Sequence, residues 1–129
     1  MEKLPVTNYT SLQQFETELQ EEEFFQSMIS SFLGIGGKDM ADFTRTLMSK
    51  IICHELALEC NWSGRNNKDG FMQYVNILKL ILAVLQKNPI TRNATQYDVT
   101  GVIKVWLRTA ADRHGGRSKR RTESKNNSN

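Results

Sequence analysis

The chain predicts an all-α fold: a compact single domain of about five helices, followed by a disordered basic C-terminal tail. Three observations carry that expectation. Apolar residues recur at spacings of three and four in five successive blocks, the period of helices buried along one face. The blocks are separated by helix starts and stops, with Ser, Thr or Asp before several of them and Gly or Asn-Pro after. No block shows the apolar–polar alternation of a half-buried strand.

In order along the chain, residues 1–9 read as an extended lead-in, because Pro5 disfavours helix in the residue before it. The helical domain is expected over residues 10–114 and the tail over 115–129. Thr10 or Ser11 can cap the first helix, with Gln13 in capping-box register from Thr10, and Leu12, Phe15 and Leu19 form its apolar stripe. A second helix is expected from Glu21 to Leu33, burying Met28, Ile29 and at least two of Phe24, Phe25 and Phe32. Its three leading glutamates complement the helix dipole. Gly34, Gly36 and Gly37 end it.

Asp39 can cap a third helix that continues to about Cys60, with Met40, Phe43, Leu47, Met48, Ile51, Ile52 and Leu56 on its apolar face. Asn61 to Gly70 is a polar loop anchored by Trp62. The fourth helix, Phe71 to about Lys87, is apolar over much of its circumference and therefore central: Val75, Leu78, Leu82 and Leu85 share one side, flanked by Tyr74, Ile77 and Ile81. Asn88-Pro89 closes it. Thr95 and Asp98 form a capping box for the fifth helix, which runs to about Arg113 and buries Val99, Val102, Ile103, Trp106, Leu107 and Ala110. After Ala111 no apolar residue follows, so the tail cannot offset its ordering entropy.

Several chemistries find no support in these residues. The longest apolar run, Ile77 to Leu85, is interrupted by Lys79 and is too short to span a bilayer, and no h-region follows the N-terminus, so neither a membrane nor a secretory role is expected. The N-x-S/T triplets at Asn8, Asn61, Asn93 and Asn126 therefore carry no glycosylation reading. Cys53 and Cys60, taken as two turns apart on one helix and so about 10 Å from each other, are too distant to pair and read as reduced thiols. With His54 and His114 they are the only soft ligands, and adjacent Cys53 and His54 diverge on a helix, so no metal or cofactor is expected. Gly34-Ile35-Gly36-Gly37 follows a helix rather than a strand and is a helix stop, not a phosphate loop. No nucleophile elbow or walled carboxylate pair is evident, so no enzyme and no small-molecule substrate is expected.

Charge is the informative feature. The chain of 129 residues has a net charge of only +3, yet residues 1–38 carry six glutamates against two lysines while the remainder carries 15 basic against eight acidic residues. Arg65 and Lys68 lie in the polar loop, and Arg92 precedes the last helix. Lys104, Arg108 and Arg113 recur along that helix, and Arg117, Lys119, Arg120 and Arg121 continue it into the tail. A basic helix face that runs into a basic arm can engage DNA, the helix in a groove and the loop and arm on phosphates. The run Arg117 to Arg121 also reads as a nuclear localisation signal, so a nuclear protein is expected. The alternative is a protein-interaction or homodimerisation domain that uses the acidic helices over 10–33, with Phe24, Phe25 and Phe32 as its contact and the tail acting only in localisation.

A resemblance accompanies these residues. Leu4-Pro5-Val6, Leu12 with Phe15-Glu16, Leu33-Gly34-Ile35-Gly36-Gly37, Glu55-Leu56-Ala57, Asn61-Trp62-Ser63-Gly64-Arg65 and Trp106-Leu107-Arg108 together resemble the animal family labelled "domain of unknown function 4806", over about residues 4–113. That label implies little chemistry. The order of helices and polar loop is more distantly similar to BEN domains, five-helix modules of chromatin proteins. That resemblance implies DNA contact by Lys104, Arg108, Arg113 and the tail, with Arg65 and Lys68 as loop contacts.

Overall fold

The structure is a computed structural model and describes residues 4–112. Arg113, Arg117, Lys119, Arg120, Arg121 and the expected disordered tail lie outside the described residues, as does His114. Six α-helices are present among the described residues: α1 (Tyr9–Glu18), α2 (Glu22–Leu33), α3 (Met40–Ile51), α4 (His54–Leu58), α5 (Val75–Lys87) and α6 (Gln96–Arg108). Two two-residue strands, β1 (Cys60–Asn61) and β2 (Asp69–Gly70), pair in parallel and close the loop between α4 and α5. The all-α class holds, with six helices rather than five, and with short strands where none was expected.

The extra helix comes from a break in the segment read as one helix from Asp39 to Cys60. Asp39 caps it as expected, accepting from the Asp42 N–H at 2.8 Å. At Ile52, however, the backbone turns extended, with φ −124° and ψ 146°. No Gly or Pro marks the place; the β-branched pair Ile51-Ile52 tolerates extension well. The partner is the lead-in. Val6 donates to the Ile51 carbonyl at 2.8 Å and accepts from the Cys53 N–H at 3.0 Å, so the backbone groups freed by the break are satisfied across the chain. Val6 and Ile52 are both buried at this bridge. Helix α4 restarts with Cys53 as its cap, the Leu56 N–H donating to Sγ at 3.4 Å. Cys53 and Cys60 are therefore not on one continuous helix, which removes the premise of the helical-spacing argument; both are free thiols, Cys60 buried and Cys53 half-buried.

Three smaller differences have equally local causes. Helix α1 is capped by Asn8, whose Oδ1 accepts from the Ser11 N–H at 2.8 Å, rather than by Thr10 or Ser11. A 3-10 turn over Phe71–Gln73 precedes α5, so the α-helix proper begins at Val75. That start leaves Val75 56% exposed and turns Leu80 and Val84 inward with Ile77, Ile81 and Leu85. The last helix ends at Arg108 and is followed by a 3-10 turn over Ala110–Asp112; Val102 on it is half-buried.

Helix α5 is central as its composition predicts. Ile77, Leu80, Ile81, Val84 and Leu85 are fully buried, and the helix packs against α1, α2 and α3. Helix α6 packs on α3 through Val99, Ile103 and Trp106, and it touches β1. Its capping box is complete, Thr95 Oγ1 accepting from the Asp98 N–H and the Asp98 carboxylate from the Thr95 N–H. Phe24 and Phe25 are half-buried against the core and Phe32 is buried, with Phe24 edge-on to Phe15 at 6.1 Å between ring centroids. The exposed face of α2 is therefore Glu, Gln and Ser rather than aromatic.

The N-terminus of α5 has no local side-chain cap. Glu16 on α1 supplies one from 60 residues away, its two carboxylate oxygens accepting from the Asn76 N–H at 2.8 Å and the Ile77 N–H at 2.9 Å. A carboxylate is the favoured partner there, because the first N–H groups of a helix are unpaired and carry the positive end of its dipole. Glu16→Ala should lower stability by about 2 kcal/mol, with Glu16→Gln recovering part of the loss, as read by urea unfolding. A midpoint unchanged in Glu16→Ala would show that the cap contributes nothing.

Candidate nucleic-acid interface

The loop between β1 and β2 is built to hold one shape. Cys60 pairs with Asp69 and Asn61 with Gly70. Asn61 folds the chain back on itself: its Oδ1 accepts from the Gly64 N–H and its Nδ2 donates to the Arg65 carbonyl at 2.9 Å. Gly64, Asn66 and Asn67 have φ values of +89°, +60° and +62°, a region that Gly and Asn occupy at least cost. Gly70 lies so close to the opposite limb that a Cβ would stand 3.0 Å from the Gly64 nitrogen. Beyond the strands, the Met72 N–H donates to the Trp62 carbonyl at 3.1 Å and fixes the start of the loop to the turn before α5.

Asp69 ties this base together. Its carboxylate accepts from Gln73 Nε2 at 3.0 Å and from the Tyr74 hydroxyl, while its N–H donates to the Glu59 carbonyl at 3.1 Å. That same carbonyl accepts from the Tyr9 hydroxyl of α1 at 3.0 Å. Burial, reinforced by the charges of Asp69 and Glu59, pushes the Cys60 thiol from 9.0 up to about 12. Burial likewise moves the Tyr9 hydroxyl up to about 12, and burial with the Asp69 hydrogen bond raises Tyr74. Cys60 is thus a protonated core thiol at neutral pH, not a nucleophile.

On this frame the side chains of the loop face α6. Arg65 Nε donates to Ser63 Oγ at 3.2 Å, and Lys68 Nζ donates to the Leu58 carbonyl at 3.1 Å. From α6, Lys104 Nζ stands 5.8 Å from the centroid of the Trp62 ring, within cation–π range. Arg108 follows one turn later. Arg65, Lys68, Lys104 and Arg108 line a single cleft of about 670 Å³ with Trp62 and Leu107, and neither Asp nor Glu is among the lining residues. The solvent face of α6 continues from it as an exposed stripe, Tyr97, Gly101, Lys104 and Arg108, at helical spacing.

Four of the sequence-derived basic residues are therefore brought together. Arg92 is not: it is exposed in the turn before α6, beyond the far end of a helix roughly 20 Å long. Trp62, read from the sequence as the anchor of the polar loop, is half-buried against the core and also forms a wall of the cleft. Glu16 and Tyr9 were missed as positioning residues, because their partners are 50 to 61 residues away. Among the described residues no group of three or more His, Cys, Asp or Glu could hold a metal ion, and no helix is long and apolar enough to cross a membrane.

The raised thiol and hydroxyls give the fold a defined alkaline limit. The unfolded chain loses the Cys60 proton near 9.0 while the folded chain keeps it to about 12, so the associated stability is intact below pH 9 and is lost as pH rises through that window. Urea midpoints in reductant should be flat from pH 7 to 8.5 and fall steadily above 9, with a shallower fall in Cys60→Ala. A midpoint that stays level to pH 11 would contradict the buried-thiol account.

Comparison with known proteins adds one finding. The family model described as "Domain of unknown function (DUF4806)" matches residues 2–84, which takes in α1 to α4, the closed loop and most of α5 and stops short of α6. No curated protein and no solved structure matches the chain. The likeness to BEN domains has no such match behind it. The matched span includes the lead-in that pairs where α3 gives way to α4, the glycine turn after α2 and the loop that forms one wall of the cleft, and on that match the chain belongs to the domain of unknown function 4806 family.

Proposed function

We propose that this chain is a non-enzymatic nuclear module that binds DNA through α6, the closed loop and the basic segment that follows. The observation that carries this reading is the cleft: four cationic side chains on two separate elements, gathered around one aromatic ring with no carboxylate among the lining residues. The partners of Arg65, Lys68 and Lys104 are a serine hydroxyl, a main-chain carbonyl and an indole, none of them a carboxylate, which leaves these charges available to an anion. Arg and Lys so placed make charge-assisted hydrogen bonds to phosphate oxygens. The exposed stripe of α6 suits the approach to a duplex. A helix fits a major groove about 12 Å wide, and at Gly101 no side chain stands between the helix backbone and a docked surface.

The rival reading, a protein-interaction or homodimerisation domain using residues 10–33, has less support. The phenylalanines that would anchor it pack inward, and Glu16 and Tyr9 are engaged in positioning α5 and the loop.

Duplex affinity should fall steeply with salt, with a log–log slope of roughly −0.9 for each phosphate engaged. Lys104→Ala and Arg108→Ala should each reduce that slope by about one and weaken binding to all sequences alike. Salt-independent binding, or slopes unchanged in both variants, would remove α6 from the interface.

A further inference from the structure

Trp62 borders two spaces. On one side is the basic cleft; on the other is a hollow of about 380 Å³ formed with Met72, Val75, Leu78 and Leu82, with Gln96 and Lys79 at its edge. Met72 and Val75 are 50% and 56% exposed, so apolar surface is left uncovered directly beside four cations. A core has no use for exposed apolar groups here, and a continuous apolar patch of this kind marks a contact surface. The hollow is at the small end of ligand-sized pockets, roughly 300–1,000 Å³.

Resting on the nucleic-acid reading above, we propose that this hollow receives an unpaired base of the strand whose phosphates occupy the cleft, so that the favoured ligand is single-stranded. The neighbourhood selects this occupant. A strand presents phosphates and flat apolar rings side by side, and the cleft and hollow present cations and an apolar slot side by side, divided only by an indole. The Trp62 ring offers a stacking face, a sequence-tolerant contact because every base has a π-surface. The Met72 thioether packs favourably against an aromatic ring. At the edge, the Gln96 amide can both donate to and accept from a base, and the Lys79 ammonium can donate. Lys104 links the two halves, since it lines the cleft and its ammonium stands over the Trp62 ring.

The test uses the full chain and three probes of equal phosphate number at one salt concentration: a single-stranded oligonucleotide, a blunt duplex, and an abasic deoxyribose-phosphate oligomer. The single strand should bind about tenfold more tightly than the abasic oligomer and should quench the fluorescence of Trp62, whereas Trp106 is buried. Met72→Ala and Val75→Ala, which border the hollow and not the cleft, should each remove much of that advantage while leaving affinity for the abasic oligomer and the duplex unchanged. Trp62→Leu, which also loosens Lys104, should weaken all three probes but the single strand most, and Trp62→Phe should restore the single-strand advantage in part. Equal affinity for single strand and abasic oligomer, or a loss in Met72→Ala and Val75→Ala shared equally by all three probes, overturns the base site while leaving the phosphate cleft standing. If none of the three binds at low salt, the nucleic-acid reading itself fails.

Discussion

The closure of the loop between α4 and α5 is the constraint on which the rest of the site depends, and helix α1 enforces it from both ends. Tyr9 at the start of α1 holds the Glu59 carbonyl just before the loop, and Glu16, two turns later, holds the Asn76 and Ile77 N–H groups just after it. Between these clamps the parallel pairing of Cys60-Asn61 with Asp69-Gly70 brings the limbs together. Ahead of the first clamp, the helix gives way at Ile52, where Val6 pairs with the chain, and restarts as α4. The acidic N-terminal segment is therefore not simply an opposite pole to the basic half. One of its carboxylates and one of its hydroxyls shape the frame on which the basic residues stand.

That frame addresses an electrostatic difficulty. Cations placed together repel one another, weakly where water screens them and more strongly where it does not. Here three of the four have a neutral partner, which fixes position without cancelling charge: Lys68 on a carbonyl, Arg65 on a hydroxyl, Lys104 on an indole. A salt bridge would have held them as firmly but would have competed with any incoming anion. Gathering such charge in a concave site also strengthens its field at long range and speeds the encounter with a charged partner.

Much of the fold was legible. The caps at Asp39 and Thr95, the stop at Gly34, the end of α5 at Asn88 and the centrality of α5 follow from local chemistry that the chain displays openly. The break at Ile52 was not legible, since its cause is a main-chain pairing with Val6 far away in sequence, and nothing at Ile51 to Cys53 forbids a helix. The exposure of Val75 was missed for a related reason. The α-helix begins at Val75 rather than Phe71, so Val75 stands at its exposed start, and the 3-10 turn that sets the start is held by Trp62 and Asp69. Of the site, Arg65, Lys68, Lys104 and Arg108 were visible as basic residues, but helix spacing groups only Lys104 with Arg108, and the approach of the loop pair to them depends on how α6 packs against β1. Trp62 was legible as the anchor of its loop but not as a wall of the cleft, because that second role depends on where α6 packs.

The central claim is that the arrangement of charge in the cleft, rather than the amount of basic charge on the chain, determines binding. It is tested most directly by two full-chain variants of equal net charge, one with Arg65, Lys68, Lys104 and Arg108 changed to Gln and the other with the exposed Arg45, Lys50, Lys87 and Arg92 changed to Gln. Measured by fluorescence anisotropy against one oligonucleotide at fixed salt, the cleft variant should lose about a hundredfold or more in affinity and the remote variant no more than about threefold. Equal losses in the two would contradict the account.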